Sequence, residues 1–261
     1  MEWKLRLKET LGAVEAKKIS TPPIYFATLD EHGLPQVRAV QCVGFVGERR
    51  SPERETGSEQ RVEDPLEHLD PPQASWESAL LCFSTDIRSA KCRELARTRL
   101  AQFCWWFPSE QRQFRIACET YIIASPESNS HIGTPTSELE ALSQCFVHPP
   151  AKGTSERFSW DNECGYHFDR LPNIIRGWHV GPPPSAPCDD NTVPFDQLPL
   201  SRTSADHDLK LRQAQQNFAL IVMKPKSVDF VDMAQQPPTR LLFESGEDDR
   251  SSSWRTIPLN P

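Results

Sequence analysis

The stretch IYFATLDEHGLPQVRAVQCVGFV, residues 24–46, carries the clearest fold signal of the chain. Ile24–Leu29 predicts one strand and residues 36–46 predict a second. The link between them contains Gly33 and has the length of an ordinary hairpin loop. We therefore expect an antiparallel hairpin in this part of the chain.

The same kind of signal recurs further along. More strands are predicted at residues 78–84, 101–106, 114–124, 217–223, 227–233 and 240–244, and the chain closes with residues 253–259. One helix is predicted over residues 3–16, where Trp3, Leu7, Leu11 and Val14 fall on one apolar face. A second helix should begin near Thr85 or Asp86 and run to about Arg97. Because strands dominate, we expect a mainly β fold, an antiparallel barrel with flanking helices, rather than a doubly wound α/β fold.

Three stretches interrupt this pattern, and the chain otherwise forms one domain over residues 1–261. They lie at residues 48–75, 125–157 and 181–208 and are poor in apolar residues. Segments of this composition cannot bury enough apolar surface to offset the cost of ordering, so we expect disordered insertions. A short helix within residues 137–145 is the exception that the sequence suggests.

Composition and motifs exclude several classes of function. The net charge of −7 argues against a general nucleic-acid binder, and the sequence offers neither an apolar run for a membrane span nor a signal-peptide pattern, so a cytoplasmic protein is expected. The eight cysteines are scattered, which predicts buried, reduced thiols rather than a zinc site or a disulfide framework. The chain has no dinucleotide-binding or P-loop glycine motif, and no HExxH or GxSxG.

The segment FSTDIRSAKCREL, residues 83–95, is the main candidate for a binding site. A predicted strand ends in a hydroxyl-rich turn that leads into a helix with Arg88 and Lys91 near its start. Cations at a helix N-terminus oppose the helix dipole, and a bound phosphate would offset that cost. Ser84, Thr85 and Ser89 would then donate hydrogen bonds to it. The alternative is a solvated basic helix face capped by Asp86.

Two other segments have polar side chains at positions where they could contact a ligand. Arg38 shares a strand face with Val40 and Cys42, so it either binds an anion or reaches solvent at a sheet edge. In residues 104–116 an aromatic cluster precedes a polar row that contains Gln113 and Arg115. Such a row suits a flat heterocycle, while a tryptophan-rich core with a solvated outer face is the plainer reading.

Taken together, these segments resemble the divergent branch of the pyridoxamine 5'-phosphate oxidase-like family with an FMN-binding domain. The stretches that carry the resemblance are YFATL at 25–29, GLPQVR at 33–38, TDIRSAK at 85–91 followed by Glu94 and Leu95, WWFP at 105–108, EQRQFRI at 110–116, RLLF at 240–243, Trp254 and LNP at 259–261. The resemblance implies an FMN-binding split barrel of antiparallel Greek-key type, usually a homodimer that holds FMN between its subunits. It also implies FMN-contacting residues, which are Arg38, Ser84, Thr85, Arg88, Ser89 and Lys91 at the phosphate, Gln113 at the ring edge and Arg240 at the flavin.

Departures from the family pattern limit what the resemblance implies about activity. Val43 stands where the family usually has a second basic residue, and Cys118 where a glycine is common. Residues 235–239, Gln-Gln-Pro-Pro-Thr, replace the Arg-x-His motif that binds substrate in the true oxidases. We expect an FMN-dependent oxidoreductase with an unidentified small-molecule substrate. A non-catalytic flavin-binding or sensing module, and a split barrel that has lost its cofactor, stay open as alternatives.

Overall fold

The computed structural model describes residues 1–48, 76–146, 158–188, 197–201, 204–246 and 254–261. The strands are β1 (Ile24–Leu29), β2 (Pro35–Val40), β3 (Gly44–Phe45), β4 (Leu81–Asp86), β5 (Leu100–Phe107), β6 (Arg112–Ala124), β7 (Phe218–Asp232), β8 (Thr239–Ser245) and β9 (Trp254–Leu259). The helices are α1 (Glu2–Ala16), α2 (Ala90–Arg97), α3 (Thr136–Ser143), α4 (Trp160–Asp169), α5 (Asn173–Trp178) and α6 (Ala205–Gln216).

All the strands join one antiparallel sheet, with the order β2-β1-β5-β6-β7-β4-β3 and with β8 and β9 attached beside β7. The long strand β7 changes partner along its length. Its first part pairs with β4, its last part pairs with β8, and β6 follows it on the other side throughout. Because two different strands share one side of β7, the sheet divides there, and no pairing among the described strands closes it. This confirms the prediction of a mainly β, split-barrel fold.

The two faces of the sheet carry separate hydrophobic cores. The first core includes Phe26, Phe83 and Phe114, and α1 and α2 pack on it. The apolar face predicted for the first helix is confirmed, because all four of its residues lie in this core. Trp3 contacts the rings of Phe45 and Trp254 there, with ring centroids 6.2 Å and 5.5 Å apart. Each such buried side chain contributes about 2 kcal/mol.

The second core lies on the opposite face, over β4 and the paired ends of β6 and β7. It is covered by α3, α4 and α6. Sequence reasoning missed α4, although Trp160, Cys164 and Phe168 recur at the spacing of one helix face and are all buried. Among the described residues no helix is long and apolar enough to cross a membrane.

Several predicted boundaries were wrong. The second strand of the hairpin ends at Val40, and β3 forms only after a break. The two strands predicted at 217–233 are one continuous strand, β7. The short helix suggested within residues 137–145 is confirmed as α3, which buries Leu142. In the third segment expected to be disordered, 181–208, the described residues include the start of α6. Residues 49–75, most of the first predicted insertion, lie outside the described residues.

The expectation of small buried hydrophobes is confirmed for five of the eight cysteines. Cys104 and Cys145 are half-buried, and Cys188 is exposed. Burial raises the pKa of Cys164 to about 12 and also raises the pKa of Cys118. These two thiols therefore stay protonated at neutral pH.

Candidate functional site

The predicted binding segment is a strand-to-helix turn at the edge of the first core. β4 ends at Asp86, the buried side chain of Ile87 anchors the turn, and α2 begins at Ala90. Ser89 is the N-cap, with extended backbone angles. The helix therefore starts later than predicted, and Asp86 does not cap it. The first free N–H groups of α2 open beside Ser89, as they do at any helix N-terminus.

Lys91 forms hydrogen bonds with two hydroxyl groups in this turn. Its Nζ donates to Thr85 Oγ1 at 2.9 Å and to Ser89 Oγ at 3.1 Å. Burial is the main cause that lowers the pKa of Lys91, and the nearby charge of Arg38 acts in the same direction. Within the described part of the chain Lys91 forms no ion pair with a carboxylate. A desolvated ammonium group with only hydroxyl partners is a site that favours an anion.

Arg38 approaches the same place from β2. It lies on the inward face of that strand, opposite Phe26 of β1, as its alternation with Val40 predicts. Its Nη2 donates to Glu94 Oε2 at 2.8 Å, and its Nη1 donates to Thr28 Oγ1 and to the Gln36 carbonyl. We call Arg38, Thr85, Ser89 and Lys91 the anion cup. Sequence reasoning did not assign a role to Thr28 or Glu94.

Arg88 does not join the cup. The sequence placed Arg88 near the start of the helix, but Arg88 precedes the first turn of α2, which begins at Ala90. Its Nε and Nη2 donate to the Asp86 carboxylate, at distances of 2.6 to 3.2 Å, and its Nη1 donates to the Gly181 carbonyl at 3.0 Å. Nη2 also reaches the carbonyl of His179 at 3.3 Å. Arg88 therefore ties the turn to the chain that follows α5.

Ser84 is separated from the cup by the sheet itself. Along β4, Leu81 and Phe83 contact the first core, whereas Cys82 contacts the second. Alternation puts Ser84 on the side of Cys82 and Thr85 on the side of Phe83. The sequence pattern grouped these adjacent hydroxyls because it did not show that β4 continues through both residues and points their side chains to opposite faces of the sheet.

A second polar group lies on the outward face of the sheet. Gln113 on β6 is opposite Trp106 on β5 and Val231 on β7, and Val231 is opposite Arg240 on β8. Gln113 and Arg240 therefore share one row, two strand spacings or about 10 Å apart. Gln113 points away from the first core, since Phe114 next to it lies in that core. Gln111 is not on this face, because it occupies the preceding turn with a φ of 50°.

Asp229 holds Arg240 in place. Arg240 Nε and Nη2 donate to its two carboxylate oxygens at 3.0 and 2.8 Å, and Arg115 Nη2 donates to it from the other side. Burial raises the pKa of Asp229, but these hydrogen bonds outweigh burial and lower the pKa overall. Two guanidinium groups therefore share one carboxylate and leave a net positive charge beside Gln113.

The outward face around this row is apolar and open. We define the open face by its exposed apolar side chains, which are Tyr25, Leu29, Val37, Leu100 and Trp106, together with Gln113 and Arg240. Val37 is 65% exposed and Leu100 is 66% exposed. Exposed apolar residues grouped in this way on one sheet face mark an interaction surface. The open face and the anion cup lie on opposite sides of the sheet, so one chain does not bring them together.

Comparison with known proteins connects these features to a family. Residues 1–124 match the family described as pyridoxamine 5'-phosphate oxidase, FMN-binding domain. This range includes the anion cup and Gln113 but not Arg240. No curated protein sequence matches the chain.

Solved structures support the same fold. A pyridoxamine 5'-phosphate oxidase-related, FMN binding protein from Nostoc punctiforme has a TM-score of 0.61 at 19% identity, over 100% of this chain and 98% of that one. PhzG from Burkholderia lata, in complex with tetrahydrophenazine-1-carboxylic acid, has a TM-score of 0.49 at 14% identity, over 98% of this chain and 91% of that one. The heme storage protein HutZ from Vibrio cholerae has a TM-score of 0.35 at 9% identity, over 84% and 87%. The first similarity shows a shared fold, whereas the TM-scores of the other two are too low to support a conclusion.

Proposed function

We propose that this chain, whose residues 1–124 match the family of the pyridoxamine 5'-phosphate oxidase FMN-binding domain, belongs to that family and binds FMN as an FMN-dependent oxidoreductase. The phosphate of FMN would bind in the anion cup, and the isoalloxazine ring would lie against the open face of a second copy of the chain. Its substrate is a small molecule that the sequence does not identify.

The state of Lys91 is the observation that carries this proposal. A buried lysine normally pairs with a carboxylate or loses its charge, because an unpaired ammonium group is costly to desolvate. Lys91 instead faces the hydroxyls of Thr85 and Ser89. In the structure Thr85 Oγ1 donates to the Asp86 carbonyl and Ser89 Oγ donates to Cys92 Sγ, both at 3.5 Å. These are long hydrogen bonds, and each hydroxyl can rotate to donate to an anion while the ammonium group supplies charge. A phosphate monoester fits this set of donors, and the start of α2 adds backbone N–H groups.

The open face supports the rest of the site. Gln113 offers an amide that can both donate and accept, which suits the polar edge of a flavin ring. Trp106 beside it is 36% exposed and offers an aromatic surface. Since the cup and this row lie on opposite sides of the sheet, a homodimer with FMN in the groove between subunits would unite them. The exposed apolar residues of the open face would then be buried in the dimer.

The protein's own contribution to a reaction would be binding and orientation. FMN, when bound, supplies the redox chemistry of its isoalloxazine ring. Arg240 stands in the row of Gln113 and its guanidinium group is held by Asp229. Its positive charge would stabilise negative charge on a ring bound there. Among the described residues of the open face there is no histidine to act as a general acid or base.

A non-catalytic flavin-binding module is the second candidate. It is favoured by residues 235–239, which have no arginine or histidine ahead of Arg240. It is also favoured by Arg240 itself, because Asp229 occupies two of its donor groups. Such a module would bind FMN with the same cup but would not turn over.

The visible absorption spectrum of the purified protein tests the proposal. We expect flavin bands, or uptake of added FMN with a rise in Tm. Oxygen consumption with a panel of amine and alcohol donors, pyridoxamine phosphate included, then separates the oxidoreductase from the non-catalytic module. A colourless protein that FMN does not stabilise would contradict both.

A further inference from the structure

A carboxylate lies beside the anion cup, where a phosphate-binding site would not be expected to have one. Glu94 is on α2, three residues after Lys91, and only 9% of it is exposed. Its Oε2 accepts a hydrogen bond from Arg38 Nη2 at 2.8 Å and another from Thr28 Oγ1. A negative charge this near a phosphate would weaken phosphate binding, unless the carboxylate has a second effect that offsets the repulsion.

The contacts of Arg38 indicate that this second effect is to hold its guanidinium group in place. Three acceptors from three elements surround its guanidinium group, which are Glu94 on α2, Thr28 on β1 and the Gln36 carbonyl on β2. Only 23% of the Arg38 side chain is exposed. An arginine side chain has many rotamers, and fixing it costs conformational entropy when a ligand binds. In this protein that cost is met during folding, because the guanidinium group is already held in one orientation.

From these contacts we propose that Glu94 is a positioning residue that aims Arg38 at the phosphate of the bound ligand. The proposal rests on the proposed function, since it deepens the account of the same cup. Glu94 acts through Arg38 and does not touch the ligand. Arg38 and Lys91 together outweigh its single negative charge, so the cup keeps a net positive charge. The ligand class that follows is a phosphate monoester rather than its neutral alcohol.

The test compares FMN with riboflavin, which has the same ring and no phosphate. Dissociation constants for both are measured by quenching of flavin fluorescence in the wild-type protein and in Glu94→Gln. The glutamine keeps the size of the side chain and removes its charge. We expect Glu94→Gln to weaken FMN binding by about tenfold, the scale of one charge-assisted hydrogen bond, and to leave riboflavin binding unchanged.

Two controls separate positioning from a general loss of stability. Glu163→Gln changes another buried glutamate, on α4, and its ratio of riboflavin to FMN dissociation constants should equal that of the wild type. In an Arg38→Met background, Glu94→Gln should no longer weaken FMN binding, because Glu94 acts through Arg38. If Glu94→Gln does not fold, Thr28→Val removes a single hydroxyl from the same network and should lower FMN affinity selectively.

The possible results distinguish this inference from the function on which it rests. A Glu94→Gln variant with unchanged or tighter FMN binding, in a wild type that prefers FMN, overturns the role of Glu94 alone. Equal weakening of FMN and riboflavin also overturns it, because a structural role would act on both. A wild type that binds FMN and riboflavin equally overturns the phosphate cup itself, and this inference with it.

Discussion

Replacement of Lys91 by methionine should have opposite effects on ligand binding and on the stability of the free protein. Methionine keeps the length of the aliphatic stem and removes the charge. The variant loses a charge-assisted contact to the phosphate, worth about 2 kcal/mol, so the dissociation constant for FMN should rise roughly thirtyfold. Riboflavin has no phosphate, and its dissociation constant should stay within about twofold of the wild type, a difference under about 0.5 kcal/mol.

The ligand-free variant should be more stable than the wild type. Burial lowers the pKa of Lys91, so the folded protein disfavours the charged form that is present at neutral pH. The hydrogen bonds to Thr85 and Ser89 offset part of this cost, and we expect a net gain of about 1 kcal/mol, or a rise in Tm of roughly 2–4 °C. Differential scanning calorimetry measures the Tm. Lys17→Met, which alters an exposed lysine paired with Glu110, is the matched control and should not change flavin binding.

Two results would contradict the assignment of Lys91 to the phosphate of FMN. If Lys91→Met destabilised the free protein and weakened FMN and riboflavin equally, Lys91 would be a structural residue. Unchanged affinity for FMN would contradict the phosphate assignment directly.

Three further predictions follow from the same contacts. The pKa of Lys91 lies below its ordinary value of 10.5, so FMN affinity should fall as pH rises toward that lowered pKa. FMN affinity of Lys91→Met should depend less on pH over the same range. Arg88→Ala should lower stability by about 3 kcal/mol, because it leaves the Asp86 carboxylate buried without its partner, and calorimetry should show this without a selective loss of FMN over riboflavin. Val37→Glu should convert a dimer to a monomer in sedimentation velocity and weaken FMN binding, because it places a charge in the open face.

Each of these has its own contradicting result. Identical pH profiles for the wild type and Lys91→Met would mean that another group controls binding. A selective loss of FMN in Arg88→Ala would put Arg88 at the phosphate after all. A Val37→Glu protein with the same mass in solution as the wild type would exclude the open face as the interface, and Lys18→Glu, outside that face, is its control.

The sign of the pH effect on stability also follows from the direction of the pKa shift. A lysine whose pKa is lowered by folding destabilises the folded state, and this penalty has its full size at pH values below the pKa of the folded protein. That penalty disappears as pH rises through the folded pKa toward the unfolded value of 10.5. Lys91→Met should therefore gain most over the wild type at neutral pH and least at alkaline pH.

Local patterns in the sequence were sufficient to predict most of the sheet. The hairpin of β1 and β2 and the apolar face of α1 were predicted because alternation and helical periodicity depend on neighbouring residues alone. The layer of helices over the second core was not predicted, although α4 has an apolar face of Trp160, Cys164 and Phe168. No element was predicted for residues 160–169, where charged and polar residues separate these apolar positions.

The candidate site was predictable in composition but not in arrangement. The sequence grouped Ser84, Thr85 and Arg88 with Lys91, since all four occur within eight residues. The structure separates Ser84 by the alternation of β4 and directs Arg88 to Asp86, because a strand-to-helix turn changes direction at each residue. The acidic partners were missed because they come from distant elements. Glu94 meets Arg38 across 56 positions, and Asp229 meets Arg115 across 114.

The most direct test of this account is the ratio of the dissociation constants for riboflavin and FMN in the wild-type protein. We expect FMN to bind at least tenfold more tightly, because only FMN offers a phosphate to the anion cup, and one charge-assisted hydrogen bond contributes about that factor. Equal dissociation constants, or no binding of either flavin, would contradict it.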